Sequence, residues 1–423
     1  MGKAKKNKKQ APDDQLVPRH VKLYFHGEAE TPAERMAAIR QLRKGQILNY
    51  LLNNGPSSRV DIARALGFNL RTVSLLVTSL IRDEVVVEQP AKASHAMGRR
   101  PVPLELNASA ACVMAIEVDR DFTRFALLDL QGQILVTDEY DSDFGDTPEL
   151  QARWLIDTTR GFLNRHRNNR PPLAGGGFSF DGFVFRQHLS HSHASVTEPI
   201  RHALEEALKI PINADTNSRL IVIGEQRFGG ARGARDALTI NISDGLSLGG
   251  MVDGKVLEGT HNSAGELGHI PLGESGIPCY CGSSGCLENI VSSSGIRRLM
   301  KKHNLNVPPN TPAFKALLQQ SGRNETAMHI LNEFHKHLAL AITIGSNLYD
   351  PEVVVIAGSV SPDLEPYHDN LRKHIQKLSV PFIMEKISIK YSLLGKDAVL
   401  LGTGGQILNQ IYSASHVDAE SLL

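Results

Sequence analysis

Cysteine is scarce in this sequence of 423 residues, and neither a long apolar run nor a large excess of charge is present. Three of the four cysteines fall within eight residues, from Cys279 to Cys286, and this clustering favours a metal site over a framework of disulfides. No apolar stretch approaches the length of a membrane span. The lysine-rich first ten residues are not followed by the apolar run of a secretory signal, so we expect a cytoplasmic protein without membrane insertion.

The formal net charge of +1 excludes a polycation that binds nucleic acid over its whole surface. Any such affinity must come from local clusters of basic residues. Hydrophobic residues make up 41% of the chain and charged residues 22%, a balance typical of a globular protein with a core. The length predicts two or three domains. The start, MGKAKKNKKQ, predicts a disordered basic tail, with a weak contact to DNA phosphates as the alternative.

Three helical patterns follow the tail, and their spacing predicts a helix-turn-helix. The first ends at Asn54–Gly55. The second, SSRVDIARALG, can be capped by Ser57 or Ser58 and is stopped by Gly67. The third, NLRTVSLLVTSLIRDE, has Asn69 as its N-cap and an apolar stripe for the core. The short turn between the second and third helices is the one that this DNA-binding motif requires.

A β-ribbon with a basic tip follows, from VVVEQ to GRRPVPLELN, and predicts the wing of a winged helix. The amino end of the third helix would enter the major groove, while the wing would lie along phosphates or the minor groove. A winged helix used only for protein contacts is the alternative. The residues expected on DNA are Asn69, Arg71, Thr72 and Ser74 on the helix, with Lys92, His95, Arg99 and Arg100 in the wing.

From Ala111 onward, apolar β-type runs alternate with helical patterns, as in an α/β domain. CVMAIEVDRDFTRFALLDLQGQILVTDEYD and ALTINISDGLSLGGMVDGKVLEG share a plan of strand, turn and strand. This similarity predicts two related lobes with a cleft between them. PEVVVIAGSV predicts a further buried strand, preceded by a helix, and LLGTGGQILNQIY predicts a helix that returns to the first lobe.

The cysteine cluster predicts a structural zinc site. One imidazole and three thiolates make a closed tetrahedral set that suits Zn²⁺, and Gly282 and Gly285 allow the tight turns between them. Three free thiols beside a core histidine are the alternative. Cys112 lies in a predicted strand and is expected to be an inert core residue. The expected metal ligands are His269, Cys279, Cys281 and Cys286.

These motifs carry a resemblance to a known family. GELGH followed by CYCGSSGCLE, GRRPVPLELN and PEVVVIAGSV together resemble the ROK family (repressor, open reading frame, kinase), in particular its transcriptional-regulator branch. The resemblance runs from Lys44 to Gln410. It implies a multi-domain protein: a tail (1–30), a winged helix-turn-helix (31–107) and a two-lobed, actin/hexokinase-like ROK domain. Lobe 1 would span 108–235 and be joined by the C-terminal helix (396–423), and lobe 2, with the zinc loop, would span 236–395.

The resemblance also implies a sugar in the cleft. The family's sugar contacts map onto Glu266 and His269 of GELGH and Glu288 of CLEN, and HNSAG (261–265) also matches. Carboxylates accept hydrogen bonds from sugar hydroxyls, and a histidine bound to zinc through one nitrogen can contact a hydroxyl with the other. Asn217, at the position of the family's catalytic aspartate, can still bind a hydroxyl.

The sequence departs from the kinases of the family at three points. Asp121 and Phe122 replace the two glycines of the first phosphate turn, and Asp244 stands in the second, where it would repel phosphate. Asn217 cannot take a proton. Two alternatives stay open here: a shifted alignment that brings Asp215 into the site, and a role of Asn217 as a helix cap only.

We therefore expect a sugar-responsive transcriptional regulator without enzymatic activity, which represses genes of carbohydrate uptake or catabolism. Its expected partners are a double-stranded DNA operator, a sugar or sugar-phosphate effector and a second copy of the chain, in a homodimer or tetramer associated with the nucleoid. One alternative is an ATP-dependent sugar kinase with a fused DNA-binding domain. Another is a regulator whose cleft is empty and whose signal is a partner such as a sugar-transport protein.

Overall fold

The computed structural model describes residues 32–90, 102–143, 145, 147–180, 193–273 and 276–412. The predicted tail and the predicted wing residues Lys92, His95, Arg99 and Arg100 lie outside these ranges. Among the helices that the structure describes, none combines the length and apolarity needed to cross a membrane.

Three helices open the described chain: α1 (Pro32–Asn54), α2 (Arg59–Leu66) and α3 (Leu70–Arg82). Ser58 caps α2 by accepting a hydrogen bond from the backbone N–H of Asp61. Asn69 caps α3 in the same way through the N–H of Arg71. The three predicted helices are confirmed, and Ser58 rather than Ser57 caps the second. The predicted apolar stripe of α3 is buried and consists of Val73, Leu76, Val77 and Leu80.

A two-stranded ribbon follows α3, made of β1 (Val86–Glu88) and β2 (Leu104–Leu106) in antiparallel pairing. Ser57 fixes the ribbon to the segment before α2, because its backbone N–H and carbonyl exchange hydrogen bonds of 3.0 and 2.9 Å with Leu104. A buried ion pair of 3.2 Å between Lys44 and Asp83 joins α1 to the end of α3. These contacts fix α3 relative to the ribbon.

The first α/β sheet consists of β3 (Cys112–Val118), β4 (Phe122–Asp129), β5 (Ile134–Asp141), β6 (Leu173–Phe180) and β7 (Ile212–Thr216). The strand order is β5-β4-β3-β6-β7, with an antiparallel meander followed by parallel pairs. Val118, Phe180 and Thr216 are paired at the carboxyl ends of the parallel strands. The helices associated with this sheet are α4 (Pro148–Arg165), α5 (His193–Leu208) and α6 (Asn217–Phe228).

The second sheet repeats this plan, as the two similar runs in the sequence predict. Its order is β10-β9-β8-β11-β12, again with an antiparallel meander followed by parallel pairs. Its strands are β8 (Ala237–Ile242), β9 (Leu246–Val252), β10 (Lys255–Val256), β11 (Val353–Ala357) and β12 (Ser388–Tyr391). Its helices are α7 (Ser293–Lys302), α8 (Ala313–Ser321), α9 (Glu325–Tyr349), α10 (Ser361–Leu364), α11 (His368–Leu378) and α12 (Pro381–Met384).

The last described helix, α13 (Ala398–Tyr412), returns from the second sheet to the first, as predicted. It packs along α6 and against β3 and β6, and it also contacts α1. Helices α6 and α13 approach backbone to backbone, since a Cβ on Gly402 of α13 would stand 1.8 Å from the carbonyl oxygen of Leu220 of α6. Tyr412 belongs to one apolar cluster with Leu48 of α1 and Val113 of β3. The N-terminal helices and the first sheet therefore share a hydrophobic core.

The close contact of α6 and α13 predicts the effect of Gly402→Ala. Alanine raises helix propensity by about 1 kcal/mol, but its methyl group would collide with the Leu220 carbonyl, and overpacking costs about 1–3 kcal/mol. We expect the urea midpoint of unfolding to fall. Gly322→Ala is the control, because Gly322 has right-handed backbone angles and open space where a Cβ would lie. A Gly402→Ala protein as stable as the wild type would refute this packing.

Candidate metal centre and neighbouring polar site

The loop that carries the three clustered cysteines is folded by its own backbone. Cys279 donates its backbone N–H to the carbonyl of Ser283 at 2.9 Å, and Gly285 donates to Ile277 at 2.9 Å. Gly282 and Gly285 have φ angles of 90° and 71°, in the left-handed region that a side chain disfavours. The predicted role of these two glycines in the turns is confirmed. The loop folds back and brings its cysteines together.

Four potential ligand atoms, from His269, Cys279, Cys281 and Cys286, lie within 4.8 Å of one another. The sulfur atoms of Cys281 and Cys286 are 3.6 Å apart, and the sulfur of Cys279 is 3.6 Å from Nδ1 of His269. Tetrahedral Zn²⁺ with bonds of about 2.3 Å to sulfur and 2.0 Å to nitrogen requires ligand atoms roughly 3.5–3.8 Å apart. The residues present fit a four-coordinate metal.

Burial keeps one of the four potential ligands of this cluster protonated until a metal binds. Cys286 is fully buried, and burial raises the pKa of its thiol to about 12, so the metal-free chain keeps it protonated at neutral pH. A bound dication stabilises the thiolate and would release this proton. Nδ1 of His269 faces Cys279, whereas Nε2 lies 2.9 Å from the hydroxyl of Tyr280 and 3.9 Å from a carboxylate oxygen of Glu266.

Two carboxylates flank this loop in the sequence, and the structure gives them different surroundings. Glu266 precedes the 3₁₀ turn Leu267–His269, and its side chain is exposed. Glu288 is only 5% exposed, and its carboxylate accepts a hydrogen bond of 3.1 Å from the backbone N–H of Leu246. Glu288 thus joins the loop that carries the three clustered cysteines to the turn between β8 and β9.

Asn217 is the first residue of α6, directly after the carboxyl end of β7. Thr216, not Asn217, is the N-cap residue of this helix, so the interpretation of Asn217 as a helix cap is wrong. The side-chain oxygen of Asn217 is buried and has no hydrogen-bond partner among the described residues. Such an atom is costly unless a ligand or water satisfies it.

Asp215 is held in a buried network. Its carboxylate accepts hydrogen bonds from the N–H of Thr216 at 2.8 Å, from Nε of Arg219 and from Nε2 of Gln406 at 2.7 Å. Arg219 in turn donates to the backbone carbonyl of Asn262, at 3.2 Å. Because both carboxylate oxygens are engaged, Asp215 serves as an anchor between α6 and α13.

The two turns at the predicted phosphate positions each expose an aspartate. Asp121 lies in the turn between β3 and β4, and Asp244 in the turn between β8 and β9. The second turn is braced by the hydroxyl of Ser294, which donates to the carbonyl of Asp244 at 2.6 Å. The first turn spans residues 119–121 and contains no glycine, and Phe122 is already the first residue of β4.

The predicted DNA-facing residues of α3 lie at its amino end. Arg71 is exposed, and Thr72 and Ser74 are half-buried. Asn69 uses its side-chain oxygen to cap the helix, and the hydroxyl of Ser74 donates to the carbonyl of Leu70 at 2.8 Å. The exposed face of α3 also includes Leu70 and Leu75, which are 48% and 68% exposed.

Two residues of the metal and polar sites, Tyr280 and Arg219, were not predicted from the sequence. Tyr280 lies between two of the clustered cysteines, and that position alone was a signal for a side chain near the candidate metal centre. Arg219 stands four residues after Asp215, a spacing that permits an ion pair along a helix. This spacing predicts neither that the ion pair is buried nor that Arg219 contacts the loop 261–265.

The structure is a two-lobed α/β protein with an N-terminal helical region. Its two five-stranded sheets have the same plan, helices α6 and α13 pack together, and a loop with three cysteines and a histidine follows the second meander. The sequence profile of the ROK family matches residues 113–405. The chain belongs to this family, which confirms the resemblance seen in the sequence.

Relatives differ in how much of the chain they match. The "Xylose repressor" of Caldicellulosiruptor bescii is 25% identical and covers 89% of this chain and 97% of its own. The "Glucokinase" of Halalkalibacterium halodurans is 26% identical but covers 70% of this chain and 94% of its own. A crystal structure of a ROK family transcriptional regulator, a homologue of the E. coli MLC protein, aligns with TM-score 0.76 and 21% identity, over 89% of this chain and 97% of that one.

Proposed function

We propose that this protein is a sugar-responsive DNA-binding transcriptional regulator that represses genes of carbohydrate uptake or catabolism. The observation that carries the proposal is that α1–α3 and the ribbon β1–β2, here called the head, precede a ROK domain. In this domain Asn217 stands at the position where the resemblance places the catalytic base of the kinases. A xylose repressor matches 89% of this chain, a span too long to omit most of the head, whereas the glucokinase matches 70%, about the length of the ROK domain. We propose a tail (1–30), a DNA-binding head (31–107) and two actin/hexokinase-like lobes (108–235 with 396–423, and 236–395). We also propose a cytoplasmic, nucleoid-associated location.

In this proposal the head is a winged helix-turn-helix. The amino end of α3 would enter the major groove, where Arg71 can donate to a guanine edge and Thr72 and Ser74 can contact phosphate or base. Asn69 holds the end of the helix in place through its cap. The wing residues Lys92, Arg99 and Arg100 would add phosphate contacts. One such head buries little surface, so a homodimer or tetramer on a two-fold operator is expected.

Replacing Arg71 should weaken specific DNA binding. We expect Arg71→Ala to lose about 10- to 100-fold in affinity for an operator selected from random DNA by the wild type, because a bidentate contact to a base contributes about 1–3 kcal/mol. Fluorescence anisotropy at fixed salt measures this. Arg82→Ala is the control, since Arg82 is the last residue of the same helix and its side chain is also highly exposed. Equal losses in both variants would contradict the assignment.

We propose that the sugar or sugar-phosphate is held by Asn217, Glu266, His269 and Glu288. The buried, unpartnered oxygen of Asn217 supports a ligand there, and carboxylates and an imidazole N–H are suited to sugar hydroxyls. Exposed Asp121 and Asp244 would repel the phosphates of a nucleotide. A partner such as a sugar-transport protein, acting in place of the sugar, is the alternative signal.

Operator binding with and without sugar tests this response. We expect D-xylose, D-glucose or N-acetyl-D-glucosamine to shift the anisotropy isotherm of the wild type, because a ligand that prefers one state changes the population of the other. Glu266→Ala should abolish the shift but keep the operator affinity measured without sugar. If no sugar of a wider panel moves the isotherm, the sugar response is disproved.

Phosphoryl transfer is not expected of this chain. Asn217 cannot accept a proton, and Asp215 is committed to its buried network. In a coupled assay with ATP, Mg²⁺ and a panel of hexoses, turnover should stay at the level of a blank. Turnover that disappears in Glu266→Ala would favour the sugar kinase instead.

We further propose that His269, Cys279, Cys281 and Cys286 hold a structural Zn²⁺. The metal would cross-link a loop that has few apolar contacts of its own, and it leaves no open coordination position for catalysis. Metal analysis should give one zinc per chain. Cys286→Ser should lose the zinc and lower the melting temperature, whereas Cys112→Ser should retain the metal. Zinc that persists in Cys286→Ser would argue against this ligand set.

The buried network around Asp215 gives the sugar response a route to the head. The loop 261–265, which would close on a sugar, bonds to Arg219, Arg219 bonds to Asp215, and Asp215 bonds to Gln406 of α13. Helix α13 also contacts α1. We infer that a shift of the loop on sugar binding moves α13 and thereby the two heads.

Gln406→Leu tests this route. It removes the bond to Asp215 but keeps the approximate size of the side chain, so sugar affinity and operator affinity measured separately should change little. The factor by which sugar alters operator affinity should fall severalfold, within the range of coupling energies of about 1–3 kcal/mol. Gln410→Leu, on an exposed position of the same helix, is the control. Unchanged coupling in Gln406→Leu would rule out this route.

A further inference from the structure

Tyr280 stands between two of the clustered cysteines, and the proposed function does not use it. Its hydroxyl lies 2.9 Å from Nε2 of His269. Its ring meets the imidazole edge to face, with centroids 5.0 Å apart and an interplanar angle of 83°. Tyr280 is 37% exposed, and its hydroxyl is bonded to the ring nitrogen of the histidine that the proposed sugar site requires.

The chemistry of His269 limits how many partners Nε2 can serve. A metal bound at Nδ1, which faces Cys279, leaves the ring's one proton on Nε2. A single N–H makes one good hydrogen bond. With a metal at Nδ1, the hydroxyl of Tyr280 at 2.9 Å would accept this proton, while the carboxylate oxygen of Glu266 is 3.9 Å away. A sugar hydroxyl that accepts this proton must therefore replace the tyrosine hydroxyl.

We propose that Tyr280 is a specificity-determining residue of the sugar site, whose hydroxyl competes with a sugar hydroxyl for the Nε2–H of His269. The inference rests on the proposed binding of a sugar at His269. The tyrosine subtracts from the affinity of every sugar that uses this proton. It does not lower the affinity of a sugar that has no hydroxyl at this point. The difference in affinity between sugars with and without this hydroxyl therefore becomes smaller.

Tyr280→Phe tests the competition, because phenylalanine keeps the ring and removes only the hydroxyl. Calorimetric titration of the full-length, zinc-loaded protein with D-xylose, D-glucose and N-acetyl-D-glucosamine should show about three- to tenfold tighter binding by the variant, the net worth of one hydrogen bond. Zinc content should remain one per chain. Tyr349→Phe, a tyrosine of similar exposure at the end of α9, should bind as the wild type does.

Monodeoxy analogues of the bound sugar separate competition from a general loosening of the loop. The gain in Tyr280→Phe should vanish for the analogue that lacks the hydroxyl at Nε2 and persist for the others. A wild type that binds a sugar while the variant binds it equally or more weakly overturns the inference and leaves the proposed function standing. If neither protein binds any sugar, the proposed function fails and the inference falls with it. Binding by the variant alone would mean that Tyr280 blocks the site completely.

Discussion

Helices α6 and α13 touch backbone to backbone, and this contact positions the functional parts of the molecule relative to one another. A Cβ on Gly224 would lie 2.9 Å from the carbonyl oxygen of Ala398, and one on Gly402 would lie closer still to α6. Helix α6 begins at the polar site, with Asn217, while α13 contacts α1 and ends in the core shared with the head. Because close-packed interiors have low compressibility and transmit strain, the proposed route would carry a displacement at the start of α6 along this pair.

The buried ion pair of Asp215 and Arg219 holds the loop 261–265 and helix α13 in position relative to α6. Two charges lose their hydration when they are buried, so such a pair adds little stability, although removing one partner is costly. The pair also bonds outward on both sides: Arg219 donates to the loop 261–265, and Asp215 accepts from Gln406 of α13. The pair therefore connects the loop to the helix directly, which is the connection that the proposed route from sugar to head requires.

Much of the fold followed from local rules, and the exceptions have physical reasons. Apolar spacing and capping residues predicted the three N-terminal helices, since caps and stripes act over a few residues. The spacing of the cysteines predicted the metal cluster in the same way. The strand β6, LAGGGFSF, carried no clear strand pattern, because its glycines are there for close packing: a Cβ on Gly177 would meet Thr403 of α13 at 3.1 Å.

The parts of the site that escaped prediction depend on contacts distant in sequence. Nothing local indicates that Gln406 meets Asp215, 191 residues earlier, or that Glu288 braces the turn at Leu246. The resemblance predicted Asn217 at the position of the family's catalytic aspartate, and the structure shows that its side-chain oxygen is buried. Asparagine has the shape of aspartate but no charge, so it can bind a sugar hydroxyl without drawing off its proton. In the proposed function a sugar held there would stay unchanged, and its binding energy would shift the equilibrium between two states of the protein.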